Sequence, residues 1–218
     1  MKLKTHISVE LNEDVRRLLS SFQGMRVLDH GCGDGRVSLF LSEYASELYI
    51  VDSVPSRVDE TARLVRAFGR GKTLRGLFAG SVNDWNCDVQ FDGIVSHRVL
   101  HLMGFQDRSL AYSFFKRHLN PGGRMFVSVK ADEDSRIERM RHHHNWLDVG
   151  NGEFRRLTGD RYLKFFEASE ICRELTDAGF KVTNLFPFSE KATSARDPDR
   201  DNFYFGVDCI PNGSAGCI

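Results

Sequence analysis

Val27-Leu28-Asp29-His30-Gly31-Cys32-Gly33-Asp34-Gly35-Arg36 is the stretch that decides how this 218-residue chain folds. The apolar run Met25 to Leu28 leads into three glycines spaced by two, Gly31, Gly33 and Gly35, and Val37, Phe40, Leu41 and Tyr44 then recur at helical spacing. The sequence therefore predicts a strand, a tight turn and a helix. Residues without a Cβ let a backbone pass close to a ligand, and the free N–H groups of the helix start point at it. A bare Gly-x-Gly-x-Gly is equally compatible with an ordinary βα turn, so other residues have to decide. Asp52 closes the next strand, Tyr49 to Asp52, and stands 52 − 31 = 21 positions after the first glycine. A nucleotide-binding turn places an acid about 20 residues on, to accept hydrogen bonds from ribose hydroxyls; a solvated strand-end carboxylate is the plainer alternative. Asp29 is an acid inside an apolar strand end. Buried carboxylates are costly unless paired, which makes a ligand ammonium a fitting partner.

Outward from this turn, strand and helix periods alternate. Upstream, within residues 1–24, Asn12 caps a helix that carries Val15, Leu18, Leu19 and Phe22 on one side and stops at Gly24. Downstream, Leu48 to Val51 is a strand, and Val58, Ala62, Val65 and Phe68 mark a helix ending at Gly69. Leu74 to Ala79 and Phe91 to Ser96 are further strands, and Asp107 to Leu119 a helix. Asn120-Pro121-Gly122-Gly123 then turns into a strand from Met125 to Val129. Residues 131–166 are charged and show no period that assigns elements. Beyond them, Ala168 to Ala178 reads as a helix closed by Gly179, and Val182 to Phe186 and Phe203 to Val207 as a terminal pair of strands. Short apolar strands alternating with helices imply a mostly parallel sheet covered on both faces. The length suits one domain over residues 1–218.

With 30 basic and 30 acidic residues the net charge is zero, which argues against a nucleic-acid partner held by bulk electrostatics. Five scattered cysteines signal neither a disulfide framework nor a metal site. The N-terminus lacks the apolar core of a signal peptide, and no run approaches a membrane span, so the expectation is a cytoplasmic protein with no membrane partner.

Four blocks taken together resemble the class I S-adenosylmethionine-dependent methyltransferases: V-L-D-H-G-C-G-D-G-R at 27–36, I-V-D-S at 50–53, F-D-G-I-V-S-H-R-V-L-H-L at 91–102 and L-N-P-G-G-R-M-F-V-S-V at 119–129. They stand in the family's order and spread over about half of the chain. The resemblance implies a three-layer, doubly wound α/β fold whose mostly parallel seven-stranded sheet has an antiparallel terminal strand. It implies S-adenosylmethionine as cofactor and S-adenosylhomocysteine as product. Asp29 and the turn of Gly31, Gly33 and Gly35 would hold the methionine part, and Asp52 with Ser53 the ribose. Ser81 and Val82 would lie against the adenine, Ser81 replacing a frequent acid, while Ser96 and His97 would line the floor by the sulfonium. His30 stands where an aliphatic residue is commoner, and Arg57 where an apolar cover for the adenine is. A dehydrogenase is disfavoured, because its third glycine would come one residue later.

Methyl transfer from a sulfonium is an in-line displacement whose main demand is alignment at about 3 Å and exclusion of water. Where a proton must leave the acceptor, histidine is the usual agent, and His97 and His101, at the carboxyl edge of the sheet, are the candidate catalytic residues. Either one can equally be a packing residue. The run His142-His143-His144 cannot turn all three side chains one way, so it is not read as a metal site; one member facing a substrate is the alternative. Residues 131–166, with Trp146, Phe154, Tyr162 and Phe165, occupy the place of an acceptor cover. The leading expectation is a small-molecule acceptor. A tRNA or protein methyltransferase rests on the basic runs at Arg63 to Arg75 and Arg136 to Arg156; a non-methylating user of the cofactor, or a binding module, is the third class.

Overall fold

The computed structural model describes residues 11–191 and 201–213. The Asn12 side chain accepts the Asp14 N–H at 2.9 Å and opens α1 (Glu13–Ser20), whose first-turn acids sit at the positive end of the helix. β1 (Arg26–His30), α2 (Arg36–Leu41), β2 (Glu47–Asp52), α3 (Pro55–Ala67), β3 (Leu74–Ala79), β4 (Phe91–His97), α4 (Phe105–His118) and β5 (Leu119–Lys130) follow in alternation. An excursion then holds α5 (Arg136–Arg141), β6 (Trp146–Gly150), β7 (Glu153–Arg156) and β8 (Tyr162–Lys164). α6 (Ala168–Asp177), β9 (Phe180–Lys191) and β10 (Asp201–Pro211) complete the fold.

Seven strands form one sheet in the order β3-β2-β1-β4-β5-β10-β9, parallel from β3 to β5, with β10 antiparallel to both neighbours. The order reverses between β1 and β4, and the crevice beyond the carboxyl ends of such strands is where open α/β sheets bind ligands. Strand residues alternate between two cores. Leu28, Val51, Ile94 and Val127 face α4 and α6; Val27, Ile50, Val95 and Phe126 face α1, α2 and α3. This three-layer, doubly wound architecture is the one expected from the sequence.

Two local features differ from the sequence reading. The Asn120–Gly123 turn is an irregularity inside β5: Phe91 pairs with Leu119 and Gly93 with Arg124, so five steps on β5 answer two on β4. Gly122 at φ +83° turns the corner, and Asp92 accepts from the Asn120 side chain at 2.7 Å. The excursion, which has no legible period, is an ordered antiparallel meander of β6, β7 and β8. Its strands are too short for a pattern, but Gly150-Asn151-Gly152, all at positive φ, makes the β6–β7 turn. Its two ends meet, since Phe166 N–H donates to the Lys130 carbonyl and Asp132 N–H to the Phe166 carbonyl, at 2.8 and 3.0 Å. Phe154, Leu163 and Phe165 form its own small core, against which Trp146 packs.

Cys32, Cys87, Cys172 and Cys209 are free thiols; Cys217 lies outside the described residues. Among the described residues no helix is long and apolar enough to cross a membrane.

Candidate active site

The glycine turn is tied to the end of β2, because Gly31 N–H and Cys32 N–H both donate to the Val51 carbonyl, at 2.8 and 3.0 Å. Gly31, Gly33 and Gly35 have φ of +74°, +54° and +83°, the left-handed region that favours glycine. They differ in what a Cβ would meet. At Gly31 it would lie 2.3 Å from Val99 Cγ2 and at Gly35 2.9 Å from Thr61 Oγ1, whereas at Gly33 its nearest neighbour is Arg57 Nη1 at 3.4 Å. Gly31 and Gly35 are small so that the protein can pack, and Gly33 opens onto free space.

That space is a cavity of about 1160 Å³. Asp52 stands in its wall with both carboxylate oxygens oriented: Oδ2 accepts from Gly33 N–H and Oδ1 from Val54 N–H, each at 2.9 Å. Each oxygen keeps a second lone pair for a ligand hydroxyl. Gly80 N–H donates to the Asp52 carbonyl at 2.9 Å, which brings Ser81 and Val82 to the same wall, next to Ser53 and Arg57. The Ser81 hydroxyl is engaged by Asn83 N–H at 3.2 Å.

Of the expected residues, Gly31, Gly33, Asp52, Ser53, Ser81, Val82 and His97 line this cavity; Asp29, Gly35, Ser96 and His101 do not. The reason is strand and turn geometry. Asp29 points to the α2 face, where it accepts a hydrogen bond from Ser38 Oγ; burial raises its carboxyl to about 7. Ser96 lies on the opposite face, 2.9 Å from His30 Nδ1. His30, whose ring meets Phe115 edge-on at 5.1 Å, is itself lowered to about 4 by burial. His101 packs beneath the wall with its ring 6.1 Å from that of Tyr204, and burial, with Lys130 and Arg98 nearby, holds it well below the usual histidine range.

His97 sits in a network that the sequence reading missed. Its Nδ1 lies 2.9 Å from Ser128 Oγ, and its Nε2 faces Glu190 Oε1 at 3.5 Å, an ion-pair separation without hydrogen-bond geometry. Glu190 on β9 is buried and receives Arg98 Nη1 at 2.9 Å. Burial alone would raise the Glu190 carboxyl, but His97, Arg98 and Arg36 bring it down to about 2. Burial lowers the His97 ring more than Glu190 raises it. Arg98 holds φ +63°, a strained setting for a residue with a side chain, and its guanidinium lies 4.9 Å from the Tyr204 ring centroid.

The excursion closes the cavity from above. Arg155, Arg156, Gly159, Asp160, Arg161 and Tyr162 are in its wall; Trp146 and Phe154 are not, being spent on the excursion's own core. A buried Arg108, bidentate to Glu174 at 2.7 and 3.1 Å, lies 6.0 Å from the Tyr162 ring and braces it. His142, His143 and His144 are exposed and away from the cavity, with the rings of His143 and His144 stacked at 5.0 Å. Among the described residues no cluster of His, Cys, Asp or Glu is arranged to hold a metal ion.

A family model described as "Methyltransferase domain" matches residues 3–185, most of the chain. The chain belongs to that family. By membership and fold it is a class I S-adenosylmethionine-dependent methyltransferase domain. The ribosomal RNA small subunit methyltransferase C of Chromohalobacter salexigens is 28% identical over 192 residues, covering 79% of this chain and 53% of that protein. The O-methyltransferase rstn1 of Aspergillus nomiae is 28% identical over 122 residues, 54% of this chain and 52% of that protein. The chain thus spans about half the length of the curated relatives it matches. Among solved structures, the glycopeptide N-methyltransferase MtfA complexed with sinefungin superposes with a TM-score of 0.66 at 16% identity, covering 92% of this chain and 86% of that one.

S-adenosylmethionine is the cofactor of this family, and three features of the methyltransferase domain's wall fit it. Gly33 leaves open the space that a Cβ would fill. Asp52 presents oriented acceptors to a diol. Arg36, held by Asp34 at 2.9 Å, brings a buried Nη1 without a hydrogen-bond partner to the cavity, a donor suited to a carboxylate.

Proposed function

We propose that this domain transfers the methyl group of S-adenosylmethionine to a small-molecule acceptor bound beneath the excursion. The observation that carries the reading is the single cavity with the glycine turn and Asp52 in one part of its wall and Arg155 to Tyr162 in another. Its volume of about 1160 Å³ exceeds the roughly 300–1,000 Å³ of a site for one drug-sized ligand, which leaves room for an acceptor beside the cofactor. When bound, the cofactor supplies an electrophilic methyl on a sulfonium.

The protein's own residues position and enclose. Asp52, with Ser53 beside it, takes the ribose hydroxyls; Ser81 and Val82 flank the base; Arg36 receives the methionine carboxylate. Asp29 and Ser96 act from behind the wall, Asp29 through Ser38 on α2 and Ser96 through His30. The catalytic expectation for His97 and His101 becomes a positioning role. His97 Nδ1 lies against Ser128, its Nε2 has no hydrogen-bond partner but is buried toward Glu190, and His101 lies outside the wall. Alignment and water exclusion under Tyr162 are then the domain's main contribution.

The relative that acts on ribosomal RNA favours a second reading, an RNA acceptor. Against it, both basic runs are partly paired, Arg70 with Glu43 and Arg75 with Glu47 in the first and Arg141 with Glu138 in the second, although among the described residues Arg155 and Arg156 have no acid partner. Incubation with methyl-labelled S-adenosylmethionine and separate pools of metabolites, RNA and protein tests the proposal. Label is expected in the metabolite pool; label in RNA or protein alone, or cofactor cleavage without transfer, refutes it.

A further inference from the structure

Resting on that reading of the cavity, we propose that the acceptor carries an anionic group, a carboxylate or a phosphate, received by Arg155, Arg156 and Arg161 of the excursion. The wall as a whole carries Arg36, Arg57, Arg98, Arg155, Arg156 and Arg161 against Asp34, Asp52, Glu60, Asp107 and Asp160, and of these acids only Asp107 and Asp160 stand outside the glycine turn, β2 and α3. Several other arginines are paired with acids, Arg26 with Glu47, Arg108 with Glu174 and Arg124 with Asp208 among them. Among the described residues no carboxylate lies within 4.0 Å of the guanidinium of Arg155, Arg156 or Arg161.

Their placement sharpens the point. Arg155 pairs with Tyr162 across the β7–β8 hairpin and Arg156 N–H donates to the Arg161 carbonyl at 2.9 Å, so Arg156 and Arg161 oppose each other while Arg155, next to Arg156 on β7, stands beside Tyr162 on the other face. Like charges facing each other across strands are destabilising. Here the buried Phe154 between Glu153 and Arg155 and the buried Leu163 beyond Tyr162 fix the hairpin, so the cations cannot move apart freely. A counter-anion bound between them would relieve the repulsion and would be held by planar, forked donors suited to carboxylate and phosphate oxygens. Arg98 shares the cavity, but Glu190 already neutralises it; it shapes the floor rather than supplying net charge. Val99, Leu102 and Met103 line the same region, which gives the acceptor an apolar body beside its anion.

The test titrates the full chain, saturated with S-adenosylhomocysteine, by calorimetry with phenyl phosphate, benzoate, benzamide and a short RNA hairpin. At least one of the two anions is expected to bind roughly tenfold or more tighter than benzamide, the two telling phosphate from carboxylate, and R155Q/R161Q to cut that affinity by roughly tenfold. Both residues are exposed, so the variant folds, and its affinity for S-adenosylhomocysteine stays unchanged. Anions that bind no better than benzamide, or equally to the variant, overturn the proposal while leaving the cofactor site intact. An RNA hairpin whose binding falls in the variant, with phenyl phosphate unable to displace it, overturns it in favour of a nucleic-acid acceptor. Failure to bind S-adenosylhomocysteine at all would instead sink the reading of the cavity itself.

Discussion

Alanine at Gly33 and alanine at Gly31 should do different things, though both replace a glycine of the same turn at positive φ. Forcing a side chain into the left-handed region costs about 1–2 kcal/mol. At Gly33 that is nearly the whole cost, because the added Cβ meets only Arg57 Nη1, at 3.4 Å, the end of a flexible side chain. At Gly31 the Cβ would stand 2.3 Å from Val99 Cγ2, so Val99 has to shift, and overpacking of this kind adds about 1–3 kcal/mol. For a domain of this size each kcal/mol is worth about 2–4 °C in Tm, so Gly33→Ala should lose a few degrees and Gly31→Ala roughly 4–20 °C. Binding should follow the opposite order of cause. Gly33→Ala places a methyl group in the cavity where the cofactor passes the turn, and its affinity for S-adenosylhomocysteine should fall by roughly tenfold or more while the protein stays folded, with Gly33→Val worse. Calorimetry at 15 °C together with thermal unfolding reads both quantities. Unchanged affinity in folded Gly33→Ala would refute the assignment of this turn as the cradle, whatever Gly31→Ala does.

Asp52→Ala should weaken S-adenosylhomocysteine by about 1.5–3 kcal/mol, roughly 10- to 150-fold in Kd, because hydrogen bonds to a charged acceptor are lost; the same titration with NAD should show no tight binding. Tyr162→Ala opens the cavity wall and should lower label transfer with cofactor affinity unchanged. Trp146→Ala, which loosens the excursion's core instead, should lower thermal stability; equal transfer by Tyr162→Ala and parent would make the roof irrelevant to turnover. Acid should act through His30. Its pKa is lowered by burial from 6.5 to about 4, so between those pH values the unfolded chain binds the extra proton and stability is lost as pH falls, by up to about 3 kcal/mol at pH 4. Asp29, raised to about 7, runs the other way, so the comparison to make is His30→Leu against the parent in urea unfolding. The stability difference should shift toward His30→Leu on going from pH 7 to pH 4, and a difference independent of pH would show that His30 takes up its proton normally.

What the sequence disclosed about this site follows from how local each signal is. The glycine turn and Asp52 are legible because a single strand–turn–helix unit, with the next strand beside it, fixes them, and backbone pairing of β1 with β2 carries the 21-residue spacing into contact. Faces are less legible. Asp29 and Ser96 each stand one residue along a strand from a wall position, and a period of two turns them to opposite cores, Asp29 to Ser38 and Ser96 to His30. Glu190 was invisible for a different reason. It lies 92 positions after Arg98, at the end of a strand whose apolar run stops earlier, and only the antiparallel return of β10 brings β9 alongside the sheet at that height. A buried acid can survive there only because Arg98 and His97 wait for it, and neither shows in the sequence around Glu190. The excursion reverses the usual relation between pattern and role. Its aromatic residues, Trp146 and Phe154, drew notice as a cover for the acceptor and proved to be the packing that holds the meander together. Its arginines from Arg136 to Arg156 read as a basic run for an RNA or protein acceptor, yet Arg155 and Arg156, with Arg161, line the cavity. Strands of three or four residues carry too little periodicity to say which side chains face inward, so the part of the site with the most bearing on the acceptor is the part that only the folded chain discloses.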